Sequence, residues 1–410
     1  MASLHQICVM ILGTFSCVSG GLHSFTAGNT DQDYSPLHKS RDTSLPCLCS
    51  NPLLCMPLGK AVQRHPLAPH VQEFLRKSQE KEVFAFVLDC DPSVWGKFNW
   101  SKLSTIALAG FYDLDLLCHA HEHGVKVVRL GNIPTSDLPN ATARHNWVKL
   151  QVSDAALNFL DGINIDFEDV INPDSPEQEG LTNLVQETAE MFHTALPGSQ
   201  FSQLQVSFDV AWSANGIDGR YYDYKSIANY SDLIFIMAYD EQSQIFDGPC
   251  TARPNSGIYK TAQGIQTYLD LDIPAEKMVL GVPWYGYNYP CISLDQNDTC
   301  FIEEIPFRGA NCSDAAGTQY PYSYMVATLE EFNATYHWEE SSLTPWYNIK
   351  DKNGQARQMR YDDGQSLLYK YMLAIMTGMR GVGMWTANFL DYSETDEAIA
   401  QQELMWSLLL

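Results

Sequence analysis

Residues 160–168 hold the side chains of this sequence that are best suited to acid–base chemistry. Apolar and polar residues alternate there, and this period of two predicts a β-strand. One face is wholly apolar, and the other carries Asn164, Asp166 and Glu168. The Cα atoms of Asp166 and Glu168 would lie about 6.5–7 Å apart in a strand, so their carboxyls could share protons. Either this is a solvated edge strand, or it holds a pair of acids of the kind that glycoside hydrolysis uses.

The order of the two acids along the strand suggests different roles. Glu168 lies nearer the open end, so we assign it as proton donor to a leaving oxygen, and the deeper Asp166 as an orienting acid. The motif offers no second carboxylate as nucleophile, which ordinary retaining hydrolysis needs. A 2-acetamido substrate supplies its own nucleophile, with Tyr239 donating to the acetamide oxygen and Trp385 forming an apolar floor. Core packing is the alternative role for either aromatic residue taken alone.

Eight apolar runs separated by helical segments must position these residues. We predict strands at residues 82–89, 105–110, 125–130, 160–168, 205–212, 233–240, 278–284 and 381–385. Helical spacing appears at residues 114–122, 144–159, 181–195, 259–270, 364–377 and 394–409. This alternation predicts an α/β fold in which a parallel sheet closes into a (β/α)8 TIM barrel. The C-terminal strand ends would form the active-site face, where Glu168, Tyr239 and Trp385 would meet.

The remaining segments divide around the barrel. We predict a signal peptide at residues 1–20, a disordered leader at 21–46, barrel segments at 47–287 and 361–410, and an inserted α+β subdomain at 288–360 between strands seven and eight. A long extended loop is the alternative for the insertion. The signal peptide and six Asn-x-Ser/Thr sequons predict glycosylation and passage through the secretory route. The sequons stand at Asn99, Asn140, Asn229, Asn297, Asn311 and Asn333.

The charge and aromatic content narrow the class of partner. A net charge of −24 argues against nucleic acid and anionic membrane surfaces. No apolar run after residue 20 reaches membrane-spanning length, so we expect no membrane partner. An aromatic content of 12% suits stacking on sugar rings, although an aromatic core gives the same count. We therefore expect an oligosaccharide partner, a monomeric protein and no cofactor.

Nine of the 11 cysteines follow the predicted signal peptide. Cys291 and Cys300 bracket a short polar loop and are the easiest pair to close, and Cys47, Cys49 and Cys55 are further disulfide candidates. Because nine is odd, at least one thiol is free or paired elsewhere. A zinc site is the alternative for this cluster, but its spacing lacks a second cysteine pair or ligand histidines. We therefore predict no metal.

Several of these motifs resemble glycoside hydrolase family 18, the chitinase-like barrels. The family signature is similar to Asp161-Gly162-x-x-x-Asp166-x-Glu168, its strand-six motif to residues 237–240, and its strand-eight tryptophan to residues 383–385. Residues 207–213, 239–245, 281–287 and 306–310 narrow the resemblance to lysosomal members that act on chitobiose. The resemblance extends from about Cys47 to the C-terminus.

The resemblance implies substrate-assisted hydrolysis with retention of configuration. Glu168 would be the acid/base, Asp166 the acid that orients the acetamide, and Tyr239 the donor to its oxygen. It further implies a lysosomal glycosidase that cleaves the GlcNAcβ1-4GlcNAc core of free N-linked-type oligosaccharides and releases one GlcNAc from the reducing end. The implied substrate contacts are Asp161, Asn164, Asp240, Trp284, Tyr285, Arg308 and Trp385.

Asn164 departs from the common family pattern, which has Asp at this position. With an amide there, Asp166 lacks a neighbouring acid on its inner side, so we expect Asp166 to be ionised over a wider pH range. Two other functions stay open at this point. One is a chitinase-like lectin that binds sugar without cutting it, although such members typically lack the acid that Glu168 provides. The other is an endo-acting chitinase.

Overall fold

The computed structural model describes residues 47–195 and 203–409. The predicted signal peptide at 1–20 and leader at 21–46 lie outside the described residues. The chain divides after Leu48 into two units, and every element named below belongs to the second unit, which starts at Cys49. In the described part of the chain, no helix is long and apolar enough to cross a membrane.

Eight parallel strands close into a barrel, as the sequence predicts. They are β1 (Glu82–Val87), β2 (Thr105–Leu108), β3 (Lys126–Gly131), β4 (Gly162–Ile165), β5 (Gln205–Val210), β6 (Leu233–Met237), β7 (Met278–Pro283) and β15 (Gly381–Trp385). Sequential strands are neighbours, and β15 closes the sheet between β7 and β1. Strand β4 is shorter than the predicted 160–168, because its ladder with β5 ends at Ile165. Asp166 and Glu168 therefore follow the strand.

Most of the described helices surround the barrel, one (Tyr322–Glu331) lies in the insertion between β7 and β15, and six lie where apolar periodicity predicts them. They are α1 (Leu58–Arg64), α2 (Pro69–Ser78), α3 (Pro92–Trp95), α4 (Leu114–Glu122), α5 (Ala141–Leu157), α6 (Pro176–Ala195), α7 (Tyr224–Tyr230), α8 (Ile258–Leu269), α9 (Tyr322–Glu331), α10 (Gly364–Met376) and α11 (Asp396–Ser407). Side-chain caps define several starts. Asp113 accepts from the backbone N–H of Leu116 at 2.7 Å, and Asp363 and Ser366 form a capping box.

The barrel separates two apolar cores. The outer core fills the space between strands and helices and includes Ile163, Ile165 and Phe167. The inner core includes aromatic rings, among them Phe86 and Phe235, whose centroids lie 5.0 Å apart. Each buried phenylalanine contributes about 1.5–3 kcal/mol relative to an exposed one. This aromatic layer supports the interior of the barrel below the cleft.

Glycines on two neighbouring strands make room for the ring of Phe235. A Cβ at Gly281 on β7 would lie 2.2 Å from Cε1 of Phe235, and one at Gly383 on β15 would lie 2.5 Å from its Cε2. Any larger residue at these positions would displace the ring. The small residues in these runs thus serve the packing of the inner core.

The insertion between β7 and β15 is an α+β unit rather than an extended loop. Its strands are β8 (Tyr285–Pro290), β9 (Ser293–Leu294), β10 (Cys300–Phe301), β11 (Thr318–Pro321), β12 (His337–Glu339), β13 (Thr344–Lys350) and β14 (Ala356–Arg360). Five of them form an antiparallel sheet in the order β11-β8-β14-β13-β12, and β9 and β10 form a short ribbon. The sheet begins at Tyr285, slightly before the predicted boundary at 288, because β8 follows β7 almost directly.

Disulfides tie the loops to this framework. The predicted Cys291–Cys300 bond is present, together with Cys49–Cys118 and Cys250–Cys312. Cys47, Cys55 and Cys90 are disulfide-bonded as well. The sulfur of Cys49 is therefore oxidised, which removes it as a thiolate ligand for zinc.

Candidate active site

The two acids of the sequence motif lie just beyond the end of β4. The backbone N–H of Asp166 donates to the carbonyl of Gly131 at 3.1 Å, so the chain stays extended past the last ladder pair. Phe167 is fully buried in the outer core. Because successive side chains alternate in extended chain, Asp166 and Glu168 turn to the opposite side, where both are half-buried. This is the C-terminal face of the barrel, where enzymes of this fold carry their active sites.

A cation contacts the outer acid. Arg220 Nη2 donates to Glu168 Oε2 at 2.6 Å and lies 3.4 Å from Oδ2 of Asp218. The guanidinium of Arg220 is nearly buried, whereas 37% of the Glu168 side chain is exposed. Glu168 thus combines a fixed orientation on one oxygen with access to the cleft, which suits a group that exchanges protons with a substrate.

The inner acid is enclosed. Oδ1 of Asp166 is buried and has no hydrogen-bond partner within the described residues. Burial and the nearby Glu168 charge raise the pKa of Asp166 to about 8, although Arg220 opposes the shift. The expectation that Asp166 is ionised over a wider pH range is therefore wrong. The sequence does not show how deeply this carboxyl is buried, and burial is the larger cause of the shift.

Asn164 lies below Asp166 in the interior of the barrel. Its Nδ2 donates to Ser207 Oγ at 3.0 Å and to Asp209 Oδ1 at 2.9 Å. The side chain is fully buried, so it supports the site from beneath. The prediction that Asn164 contacts substrate is corrected by this position.

Tyr239 and Asp240 follow the end of β6. Tyr239 is 8% exposed, and burial followed by the charges of Asp209, Glu168 and Asp166 raises its pKa well above the usual value. Its hydroxyl is therefore protonated and can act as a donor. Asp240 accepts from the hydroxyls of Tyr285 at 2.6 Å and Tyr287 at 2.8 Å. The structure thus brings Tyr239 to the acids and links Asp240 to the first strand of the insertion. Tyr285 is only 2% exposed, so its predicted contact with substrate is corrected to a hydrogen bond that holds Asp240.

Trp385 ends the last barrel strand above the inner aromatic core. Its ring centroid lies 5.1 Å from that of Phe86, and the side chain is half-buried. A large apolar surface therefore remains at the cleft, as a sugar floor requires. The placement agrees with the sequence prediction, and the contact with sugar stays a prediction.

Two residues proposed as substrate contacts lie elsewhere. Asp161 is at the N-terminal end of β4, where its carboxylate accepts from Leu58 N, Val127 N and His121 Nε2 at 2.7–2.8 Å. Trp284 is completely buried in the outer core against Trp406, with ring centroids 5.1 Å apart. Neither side chain has a surface for sugar. Both predictions are therefore corrected to structural roles.

Arg308 lies at the edge of the site. Its Nη1 donates to the backbone carbonyls of Asp218 at 2.7 Å and Glu168 at 3.3 Å. The rest of the side chain is exposed. The structure therefore brings this insertion residue next to the outer acid, as a candidate contact for a bound sugar.

Sequence reasoning missed two residues of the site. Asp209 is buried on β5 beside the catalytic motif, and Arg220 lies in the irregular segment that follows β5. The first carried a detectable signal, because Ser207 and Asp209 alternate with apolar residues as the acids near β4 do. Arg220 carried no such signal, because the sequence of an irregular segment does not predict which of its charged side chains reaches the cleft.

Comparisons with known proteins agree with this geometry. The sequence profile of glycosyl hydrolases family 18 matches residues 136–389. Di-N-acetylchitobiase of Rattus norvegicus is 41% identical over 363 residues, which cover 88% of this chain and 92% of the rat protein. Di-N-acetylchitobiase of Homo sapiens is 40% identical over 363 residues, which cover 88% of this chain and 88% of the human protein. A class V chitinase from Nicotiana tobaccum shares the fold, with a TM-score of 0.63 at 15% identity over 80% of this chain and 99% of that chain.

A closed barrel with two carboxyls beyond its fourth strand, in a chain with these relatives, defines a glycoside hydrolase. The chain belongs to glycosyl hydrolase family 18. The resemblance inferred from the sequence motifs is thereby confirmed.

Proposed function

We propose that this enzyme hydrolyses the GlcNAcβ1-4GlcNAc (chitobiose) core of free N-linked-type oligosaccharides and releases one GlcNAc from the reducing end. The observation that carries the proposal is the position of Glu168, accessible at the barrel mouth with the buried Oδ1 of Asp166 beside it. The substrate class is supported by relatives at 40–41% identity that are named di-N-acetylchitobiases.

The mechanism that fits these groups uses the substrate as nucleophile. Glu168 donates its proton to the glycosidic oxygen while the acetamide oxygen attacks the anomeric carbon, so the C–O bond to the leaving GlcNAc breaks and an oxazolinium ion forms. Asp166 accepts the acetamide N–H and stabilises the positive charge, and Tyr239 donates to the acetamide oxygen. Water then attacks the anomeric carbon and gives its proton to Glu168, which restores the acid with retained configuration.

A loop of the insertion supports a short leaving-group site. The contact of Arg308 with the backbone of Glu168 places this loop directly beside the acid. Its guanidinium lies 5.1 Å above the ring of Phe307, and the Cys250–Cys312 disulfide ties the loop to the segment after β6. We take this fixed wall next to the acid as support for a short leaving-group side, because release of a single GlcNAc requires room for one sugar there.

The test uses an oligosaccharide whose reducing GlcNAc carries tritium. Purified enzyme at pH 4–5 should release the label as free GlcNAc, and unlabelled chitobiose should give two equivalents of GlcNAc. Label recovered in longer fragments would indicate an endo-acting chitinase. Binding of chitobiose with no GlcNAc release would indicate a lectin.

We further propose that the enzyme acts in the lysosome. The apolar N-terminal run, the disulfides and the sequons support entry into the secretory route. Five of the sequon asparagines are exposed: Asn140, Asn229, Asn297, Asn311 and Asn333. Asn99 is half-buried and accepts from Ser101 Oγ at 2.6 Å. Full-length tagged protein should co-localise with a lysosomal marker and shift in mobility after glycan removal, and a cytosolic, unshifted protein would contradict the proposal.

A further inference from the structure

Strand register brings a second buried carboxyl against Asp166. The parallel ladder pairs Asn164 with Ser207 and Ile165 with Phe208, so Asp166 and Asp209 are the next positions along. Neighbouring strands lie about 4.8 Å apart. Side chains at alternate positions share a face, so both acids extend into the barrel, as Asn164 and Ser207 do with their 3.0 Å hydrogen bond.

The two carboxyls have too few hydrogen-bond donors around them for both to be ionised. Asp209 is 1% exposed, and its Oδ1 accepts from the amide of Asn164 at 2.9 Å. Oδ1 of Asp166 is buried without a partner in the described chain. Two adjacent carboxylates in such a place repel each other strongly, whereas one proton between them provides a donor for the unpaired oxygen.

Among the described residues, Arg220 is the one cation that acts on this pair of acids. Glu168 lies on the outer side of Asp166 and adds negative charge, and Tyr239 approaches from β6 with a neutral hydroxyl. Arg220 is the cation near Asp166, and its hydrogen bonds go to Glu168 and Asp218. Burial and the neighbouring Asp166 raise the pKa of Asp209 well above its usual value. All these contributions favour one retained proton.

We propose that Asp209 is a positioning residue that shares one proton with Asp166 across the boundary between β4 and β5. When substrate binds, the proton moves onto Asp209, and Asp166 is left as the carboxylate that accepts the acetamide N–H. No bond other than this O–H bond is made or broken, and the proton stays within the pair. Asn164, the residue that departs from the family pattern, holds Asp209 in place through its hydrogen bond, so the two residues act together on Asp166. This inference rests on the proposed function.

The first test is Asp209→Asn, which keeps the size of the side chain but cannot give up a proton. Its amide would donate to Asp166 and favour the carboxylate, so the ionisation of Asp166 should move from about pH 8 to lower pH. We expect kcat on chitobiose at pH 4–5 to fall about 100-fold, with KM little changed, because the amide cannot take up the proton that Asp166 still carries at that pH. Ser207→Ala is the matched control, because it removes the other acceptor of Asn164 and keeps both acids.

The second test moves the acid to the other side of Asp166. Asn164→Asp combined with Asp209→Asn restores a carboxyl within reach, at the preceding inward position of the same strand, and should recover about tenfold of the lost kcat. A correctly folded double variant that is no more active than Asp209→Asn would overturn the proton-sharing role. An Asp209→Asn pH profile that coincides with wild type would also overturn it.

Thermal unfolding separates this inference from the proposed function. Buried acids with raised pKa values bind protons more tightly when folded than when unfolded, so their contribution to stability declines as pH rises toward about 8. Asp209→Asn should therefore flatten the fall of Tm between pH 4 and pH 8, whatever the substrate. If wild type cleaves no chitobiose but Asp209→Asn flattens the fall of Tm, the proposed function alone is contradicted. If wild type is active but Asp209→Asn leaves the fall of Tm unchanged, the inference alone is contradicted.

Discussion

Arg220 donates a hydrogen bond from Nη2 to Oε2 of Glu168 at 2.6 Å, so a nearly buried cation holds the acid of this enzyme. The same nitrogen lies 3.4 Å from Asp218, whose carboxylate is 9% exposed at the side chain. Because Oε2 is engaged, Oε1 is the oxygen of Glu168 that the proposed mechanism leaves for proton exchange with substrate. In that mechanism Arg220 sets which oxygen of the carboxyl meets the glycosidic oxygen.

Replacement of Arg220 by Lys should lower kcat more than it changes KM. Lysine keeps the charge but lacks the planar guanidinium, whose Nη2 contacts both acids, so Glu168 loses its orientation. We expect a decrease in kcat of about 10–100-fold, measured as GlcNAc release from chitobiose. Arg144→Lys is the matched control, since Arg144 is equally buried and pairs with Glu187 at 2.9 Å on helices outside the barrel. Equal losses in both variants would mean that Arg220 acts only through stability.

Glu168→Gln should abolish turnover and leave binding intact. Glutamine has nearly the same shape but cannot give a proton to the leaving oxygen, a step typically worth 10²–10⁴-fold. We expect a loss of about 10³-fold in kcat, with chitobiose affinity by calorimetry close to that of wild type. Asp169→Asn changes the next exposed carboxylate along the chain and should remain active. Near-normal turnover by Glu168→Gln would remove it as the acid/base.

The barrel was predictable because its strands are buried on both faces. Such strands appear as apolar runs bounded by turns and helices, and β1, β6 and β7 show the pattern most clearly. The alternation of apolar and polar residues in the stretch beyond β4 also predicts which side chains face the interior of the barrel and which face outward. Glu168 and Asp166 could therefore be placed from the sequence.

The errors at the site have physical causes. Asp161 and Asp166 belong to the same motif, but they lie five residues apart along the strand and therefore at opposite ends of the barrel. The motif itself does not indicate which of its residues lie at the substrate end. Trp284 ends a predicted strand, and its side chain could face either core. Arg220 reaches Glu168 only through a turn in which Asp218 adopts a φ of 55°, and such backbone geometry has no sequence period.

The ion pair between His121 and Asp161 should stabilise the fold at acidic pH. Burial alone would lower the pKa of His121, but the adjacent Asp161 carboxylate, 2.8 Å away, raises it above 6.5. A histidine with a raised pKa contributes stability fully below its unfolded pKa and loses it as pH rises through the folded value. His121→Asn should therefore cost about 1.5–3 kcal/mol at pH 5 and less at pH 8, as measured by denaturant unfolding.

His193 provides the comparison for this pH dependence. Its hydrogen bond with Asp232 at 3.0 Å also raises its pKa, but 26% of the ring is exposed. Solvent screens such a pair, so His193→Asn should change stability little at either pH. A cost for His121→Asn that is equal at pH 5 and pH 8 would contradict a charged His121.

Loss of either Lys370 or Asp362 alone should destabilise the fold, whereas loss of both charges together should destabilise it less. Lys370 on α10 donates to Asp362 just after β14, and both side chains are completely buried. Asp362→Asn would leave the ammonium without a counter-ion, which typically costs 3–5 kcal/mol. The double variant Asp362→Leu with Lys370→Met removes both charges, so it should be more stable than either single variant. Chemical denaturation of the four proteins measures the coupling, and additive losses would show that the two residues act independently.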